Sequence, residues 1–284
     1  MKESKDNGPG QRSSLPWKIL CGIFLVGALV CIIMVCAGAL KKKEAQDAYE
    51  SLAEQTNLTG GDESTRPEGE TGSSPSEVVS DSLQQAGVPV PEKTVDFSDL
   101  QKNTNADIYS WIYIPDTLVD YPVVQHATDN NYYLNHNLDG SSGYPGCIYS
   151  EDYNKKDFSD PVTVLYGHNM KNGSMFAGLH KYGDAEYMKE HPYVYVYTED
   201  KLYVYEIFAA YEYGNDHLLY EHDYSEGSQF STYIEDIKNI RDMNKVIRED
   251  VEVTTEDRIL TLSTCISNKA ESRFLVQGVL LNEE

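Results

Sequence analysis

A cysteine, a histidine and an arginine sit in this sequence at the ends of apolar runs, and three such side chains brought together can carry out acyl transfer. Cys265 closes the run Arg258-Ile-Leu-Thr-Leu-Ser-Thr-Cys265, and Arg273 opens the run that continues to Leu281. The short segment Ile266–Ser272 between them predicts an antiparallel hairpin. Paired that way, the thiol and the guanidinium project from one end of a sheet. A nearby cation favours the thiolate, the reactive form of cysteine, and a guanidinium stays charged and can hold the oxyanion of a tetrahedral intermediate. Taken alone, the pair also fits a small buried cysteine beside a surface arginine. A proton carrier separates the two readings. His168 follows the run Val162-Thr-Val-Leu-Tyr166 through Gly167 and precedes the polar loop Asn169–Ser174, at a strand end, where functional groups collect. His126, His136, His180, His191, His217 and His222 stand in polar or helical contexts and are expected to face solvent or cap. No histidine pair has zinc-ligand spacing, and the acidic run Glu249, Asp250, Glu252, Glu256 and Asp257 lacks a calcium-loop pattern. That run reads as a solvated edge, and no metal site is expected.

The elements that must position these groups are short β-type runs: Ile108–Ile114, Val119–Val124, Val162–Tyr166, Tyr193–Tyr197, Leu202–Tyr211, Ile259–Cys265 and Phe274–Leu281. Helical spacing is clearest over Ser228–Arg241, where Phe230, Tyr233, Ile234, Ile237 and Ile240 recur on one face. Shorter helices are expected over Ser98–Asn103, Asn130–Asn135, Ser174–Tyr182 and Ala185–Glu190. Many short strands with a few helices predict a mainly β domain, a closed or nearly closed barrel with flanking helices, because closure removes exposed edges. The sequence contains no internal repeat.

The chain has 284 residues, with 46 acidic against 23 basic side chains and a formal net charge of -23. A surface that negative repels phosphate backbones, so nucleic acid is not an expected partner. Of the five cysteines, Cys21, Cys31 and Cys36 fall in one apolar run, which leaves Cys147 and Cys265 for the rest of the chain. Two cysteines make no disulfide framework; a single Cys147–Cys265 bridge is the alternative in an oxidising exterior, and free thiols are the expected state. Ile19–Leu40 carries no charge and as a helix spans about 33 Å, enough to cross a bilayer core. A cleaved signal peptide is the competing reading, but the run exceeds a signal h-region. The expected organisation is a short tail at 1–18, a transmembrane anchor at 19–40 and one folded domain at 97–284. Between anchor and domain, residues 41–96 carry Gly60-Gly61, Gly72-Ser-Ser-Pro75 and many polar residues, a composition that predicts a flexible stalk, helical in its first part to about Leu58. Lys2, Lys5, Arg12 and Lys18 precede the apolar run and Lys41, Lys42 and Lys43 follow it, so flanking charge leaves the orientation open.

Thr261-Leu-Ser-Thr-Cys265 resembles the Thr-Leu-x-Thr-Cys motif of sortases, and Ser263 in the variable place is similar to the class B form. Tyr166-Gly-His168-Asn-Met-Lys-Asn-Gly-Ser-Met-Phe176 resembles the class B segment around the catalytic histidine, and Arg273 stands where the family arginine does. The similarity runs from about Phe97 to Leu281, and Leu218–Thr255 resembles the insert that class B enzymes carry before the cysteine strand. The resemblance implies a sortase barrel of about eight strands behind a membrane anchor, with the N-terminus cytoplasmic and the catalytic domain extracellular. It further implies a cysteine transpeptidase with Cys265 as nucleophile, His168 as proton carrier and Arg273 on the oxyanion. Its substrates would be surface proteins with an Asn-Pro-x-Thr-like sorting signal, and its acceptor a cell-wall or pilin amine; no cofactor is required. Asn130, Leu134, Tyr233, Ile234 and Ser263 are the implied substrate contacts, although Leu134, Tyr233 and Ile234 fit helix core equally. The spacing from Cys265 to Arg273 is on the short side for the class, which leaves signal preference least constrained. Two other readings compete. Tyr144-Pro-Gly-Cys147-Ile-Tyr149 resembles the Gly-Cys segment of L,D-transpeptidases but lacks the arginine expected soon after. A stalked surface adhesin or assembly protein on the same fold is the non-enzymatic alternative.

Overall fold

The computed structural model describes residues 15–58, 83, 85–241 and 244–282. The expected tail up to residue 14 and the part of the expected stalk from 59 to 82 lie outside the described residues. Backbone proximity divides the chain into Met1–Glu44 and Ala45–Glu284. The first long helix, α1 (Leu15–Leu58), contributes to both. Within it, Cys21–Thr56 contains a stretch apolar and long enough to cross a membrane, with a mean hydropathy of 2.9. Ile23, Phe24, Leu25, Met34 and Val35 on this helix are exposed, as a lipid-facing helix requires, and the segment is compatible with a single-pass membrane anchor.

In the larger unit, the short α2 (Phe97–Asn103) leads into the strands, nine among the described residues. These are β1 (Ile108–Tyr113), β2 (Asp120–Val124), β3 (Ile148–Tyr149), β4 (Val162–Tyr166), β5 (Tyr193–Tyr197), β6 (Leu202–Tyr213), β7 (Val246–Ile247), β8 (Ile259–Ile266) and β9 (Lys269–Leu280). The sheet runs β5-β1-β2-β3-β4-β8-β9-β6, and β6 pairs again with β5, which closes a barrel of eight strands. The two-residue β7 adds to β6 outside the ring. β4 and β8 pair in parallel, with Tyr166 beside Ser263, and β8 and β9 pair antiparallel, with Cys265 opposite Arg273. Leu165, Leu260, Leu262, Phe274 and Val276 belong to the main core. Alternation then turns Val164, Thr261, Leu275 and Tyr211 to the other face of the same strands.

The lower part of that outer face is covered. After α3 (Ala185–Glu190) and α4 (Leu218–Glu221), helix α5 (Gly227–Asn239) lays Phe230, Tyr233, Ile234 and Ile237 into a second apolar cluster with Val164, Tyr211, Ile259 and Leu275. Each such side chain contributes roughly 1.5–3 kcal/mol by burial. At the centre of the contact Gln277, fully buried, donates to Thr261 Oγ1 (2.8 Å) and to the Tyr233 hydroxyl (2.5 Å), and accepts from the Tyr211 hydroxyl (3.0 Å).

Three expectations need correction. From Ala45 on, described residues of the predicted stalk are docked: Tyr49 is 2 % exposed, Leu83 and Val88 are buried, and Lys93 bonds Asp120 at 2.9 Å and Thr56 Oγ1 at 2.6 Å. Polar composition concealed this, because the anchoring contacts are few and spaced widely along the segment. The β8–β9 connection is much shorter than Ile266–Ser272: the reversal falls at Ser267-Asn268, with Asn268 at a φ of 64°. Asparagine tolerates that left-handed conformation, so both strands run on past the barrel rim and Arg273 lies within β9 instead of opening it. The segments around Asn130–Asn135 and Ser174–Tyr182 form tight three-residue-per-turn helices, Tyr132–Leu134 and Phe176–Gly183.

Candidate active site

Register builds the site row by row on the outer barrel face. One row is Tyr166, Ser263, Leu275 and Tyr211, set by successive pairings across β4, β8, β9 and β6. Two residues further along β8 is Cys265, paired with Arg273, which pairs in turn with Tyr213. His168 lies two residues beyond Tyr166, at the level of Cys265. The ladder is carried past the end of β4 by Gly167, whose N–H donates to the Ser263 carbonyl (3.1 Å) and whose carbonyl accepts from Thr264 Oγ1 (2.8 Å). A Cβ at Gly167 would lie 2.5 Å from Ile148 Cδ1 and 2.7 Å from the Phe176 ring, so only glycine lets the chain pass there.

His168 is held from several sides. Its Nε2 lies 2.7 Å from the Leu134 carbonyl; a carbonyl only accepts, so Nε2 carries the proton and Nδ1 is left for exchange. The Tyr144 ring lies 5.0 Å from the imidazole. Gly146, at a φ of +69°, lies so close that a Cβ there would come within 2.9 Å of the Leu134 carbonyl oxygen and 3.4 Å of His168 Cδ2. Cys265 is exposed, and Asn169 Nδ2 donates to its carbonyl at 2.9 Å. Arg273 Nη1 donates to the carbonyls of Ala270 (3.0 Å) and Ser272 (3.1 Å), which fixes one arm of the guanidinium on its own strand.

Between these groups opens a cleft of about 410 Å³, lined by His168, Cys265 and Arg273 together with Leu134, Tyr149, Tyr166, Ser263 and Leu275. Burial raises the phenols of Tyr149 and Tyr166, Glu151 adds to the effect, and the Arg273 charge acts against it. The rings of Tyr149 and Tyr166 stack at 5.4 Å. At the far end Glu151, mostly buried, accepts from Tyr166 OH (3.3 Å) and pairs with His217 Nε2 (2.6 Å). Burial raises the Glu151 carboxyl above its ordinary value, while His217 and Tyr166 pull it the other way. Among the described residues, no group of three or more His, Cys, Asp or Glu is placed to hold a metal ion.

A sortase domain family model matches residues 112–281. The chain belongs to the sortase family. Sortase B of Listeria monocytogenes is 39% identical over 187 residues, which is 65% of this chain and 74% of that protein. Sortase B of Staphylococcus aureus is 30% identical over 169 residues, 60% of this chain and 67% of that one. Among solved structures, sortase B of B. anthracis in complex with AAEK1 is 34% identical with a TM-score of 0.58, covering 66% of this chain and 84% of that one. The fold is that of class B sortases, and the activity is that of a sortase cysteine transpeptidase.

Of the residues singled out by sequence, this sortase brings His168, Cys265, Arg273, Leu134 and Ser263 to one cleft. It does not bring the other three. Asn130 is engaged with Asp152, donating at 2.7 Å and accepting from its N–H at 2.8 Å, and neighbouring Asn131 lines the cleft instead. Tyr233 and Ile234 are buried at 3% and 5% in the core beneath α5, so their helical spacing reports packing. Glu151 carries no sequence signal of a role, and Tyr144 stands out in the sequence only within the Gly-Cys segment around Cys147. His217 was assigned to solvent or capping; its partner Glu151 follows the two-residue β3, too short for alternation to register. Cys147 lies just before β3 and is 1% exposed, with its thiol 3.3 Å from the His136 carbonyl.

Proposed function

We propose that this chain cleaves a C-terminal sorting signal of the Asn-Pro-x-Thr kind after the threonine and transfers the protein to an amine of a cell-wall precursor or pilin. The observation that carries the reading is the register that pairs Cys265 with Arg273 and β4 with β8, with His168 two residues past the end of β4, so that all three line one open cleft. The Cys265 thiolate adds to the threonine carbonyl, and Arg273 donates to the resulting oxyanion. Collapse breaks the C–N bond; the departing amine takes a proton from His168 and leaves a thioester on Cys265. The acceptor amine then attacks that thioester, His168 takes the proton back, and the thiolate departs with the new amide formed. Leu134 and Ser263, both on the cleft wall, are proposed to meet the signal peptide. The apolar part of α1 is proposed to anchor the enzyme, with the N-terminus cytoplasmic and the barrel outside.

The test is cleavage of quenched peptides bearing Asn-Pro-x-Thr or Leu-Pro-x-Thr by the full chain in detergent, with Cys265→Ala and Arg273→Ala alongside. Loss of cleavage in both variants, with the first peptide preferred, is the expected outcome. An intact chain that cleaves neither peptide and whose Cys265 resists alkylation would favour the non-enzymatic adhesin reading.

A further inference from the structure

One buried tyrosine far from the sequence motifs touches both walls that hold His168. Tyr49 lies in the helical segment Ala45–Leu58. Its hydroxyl is 2.7 Å from the Gly146 carbonyl, to which it donates, and 3.2 Å from Cys147 Sγ. Gly146 passes so near that a Cβ on it would come within 3.4 Å of the His168 ring and 2.9 Å of the Leu134 carbonyl oxygen, and Cys147 N–H donates to the Tyr133 carbonyl at 3.0 Å. A second route leaves the ring itself. Tyr49 meets Tyr121 edge to face at 5.5 Å; the Tyr121 hydroxyl accepts from Met175 N–H at 3.1 Å; and Phe176 N–H donates to the His168 carbonyl at 3.0 Å. One route therefore fixes the imidazole and the other fixes its backbone.

We propose that Tyr49 is a positioning residue for His168, so that the turn of helix carrying it, beyond the apolar span, is more than a spacer. The proposal rests on His168 being the proton carrier of the reaction proposed above. The Tyr49 hydroxyl pins Gly146, Gly146 confines the imidazole against the Leu134 carbonyl, and the hydrogen bond between them keeps the proton on Nε2. Without the hydroxyl, the loop Tyr144–Cys147 gains freedom and the imidazole loses its fixed direction toward Cys265. Small displacements of that kind act on turnover more than on binding.

Tyr49→Phe removes the hydroxyl and keeps the ring against Tyr121. Thr56→Val is the control: it removes the acceptor for Lys93 on the same helical segment without touching the residues around His168. Both are made in the full chain, in detergent and with labelled histidine, and His168→Gln identifies the His168 signals. For Tyr49→Phe, His168 Nε2–H is expected to exchange with water about tenfold faster and kcat to fall about tenfold, with KM changed less than about twofold. Thr56→Val is expected to lower Tm and leave the exchange rate and kcat unchanged. Wild-type exchange and kcat in Tyr49→Phe would overturn the proposal, as would equal changes in Thr56→Val, which would reduce Tyr49 to general stability. If the wild-type chain turned over no peptide, the proposed reaction would fail, and the exchange rate alone would still decide whether Tyr49 holds His168.

Discussion

Cys265 and Cys147 are both free thiols in opposite surroundings, one exposed at the barrel rim and the other sealed beneath Tyr49. Burial pushes the Cys147 thiol up to about 12, with the Tyr49 hydrogen bond opposing the effect. At pH 8 it therefore stays protonated and unreactive. Iodoacetamide on the folded chain at pH 8 is expected to modify Cys265 and spare Cys147, read by peptide mass spectrometry; fast labelling of Cys147 would contradict the assignment of the nucleophile. Gly167→Ala forces a methyl group into Ile148 and Phe176 and is expected to cost about 1–3 kcal/mol in denaturant unfolding, with turnover falling further because His168 follows directly. Glu151 gives a pH dependence. Its folded-state pKa is raised by burial, so its contribution to stability is fully present below the unfolded carboxylate value of about 4.3 and is lost as pH rises through the higher folded value. Glu151→Gln should flatten the fall of Tm with rising pH across that window; an unchanged slope would show that another group controls it.

Among the elements, α5 and the outer face of β8, β9 and β6 are joined by the Gln277 hydrogen bonds to Thr261, Tyr233 and Tyr211. Gln277→Ala leaves three buried hydroxyls short of a partner and opens a cavity, and a loss of about 3 kcal/mol is expected in denaturant unfolding. Labelling of Cys265 should persist in that variant under native conditions, because the rim rows lie beyond the covered part of the face. The helical repeat of Phe230, Tyr233, Ile234 and Ile237 was legible in the sequence, and so was the fact that one face is buried. The repeat does not say what lies opposite. Read through the family resemblance, Tyr233 and Ile234 pointed to substrate; in the structure they meet Gln277 and the strands beneath. The same limit applies to Lys93, a polar residue in a polar segment that proves 1% exposed in its side chain and ion-paired to Asp120.

At the scale of the molecule, eight strands close through the second pairing of β6 with β5, so no long barrel strand is left with a bare edge among the described residues. The formal net charge of -23 sets a self-repulsion that compact folding must overcome. Raising ionic strength from about 10 mM to 150 mM shortens the screening length to about 8 Å and is expected to raise Tm; a Tm independent of salt would mean that the acidic side chains are already locally compensated.

Adjacent residues alone announce the candidate chemical side chains, the long strands in chain order and the apolar helix, because each is written locally: a motif, an alternation or an uncharged run. Tertiary structure alone decided which of these meet. The parallel pairing of β4 with β8 brings His168 to the same cleft as Cys265 across nearly a hundred residues of chain, and no local periodicity records a partner so distant. The two-residue strands, the pairing of Glu151 with His217 and the docking of Tyr49 behind His168 are likewise hidden. Each depends on a single contact closed by the packing of the whole barrel, where burial makes one hydrogen bond or one ion pair decisive.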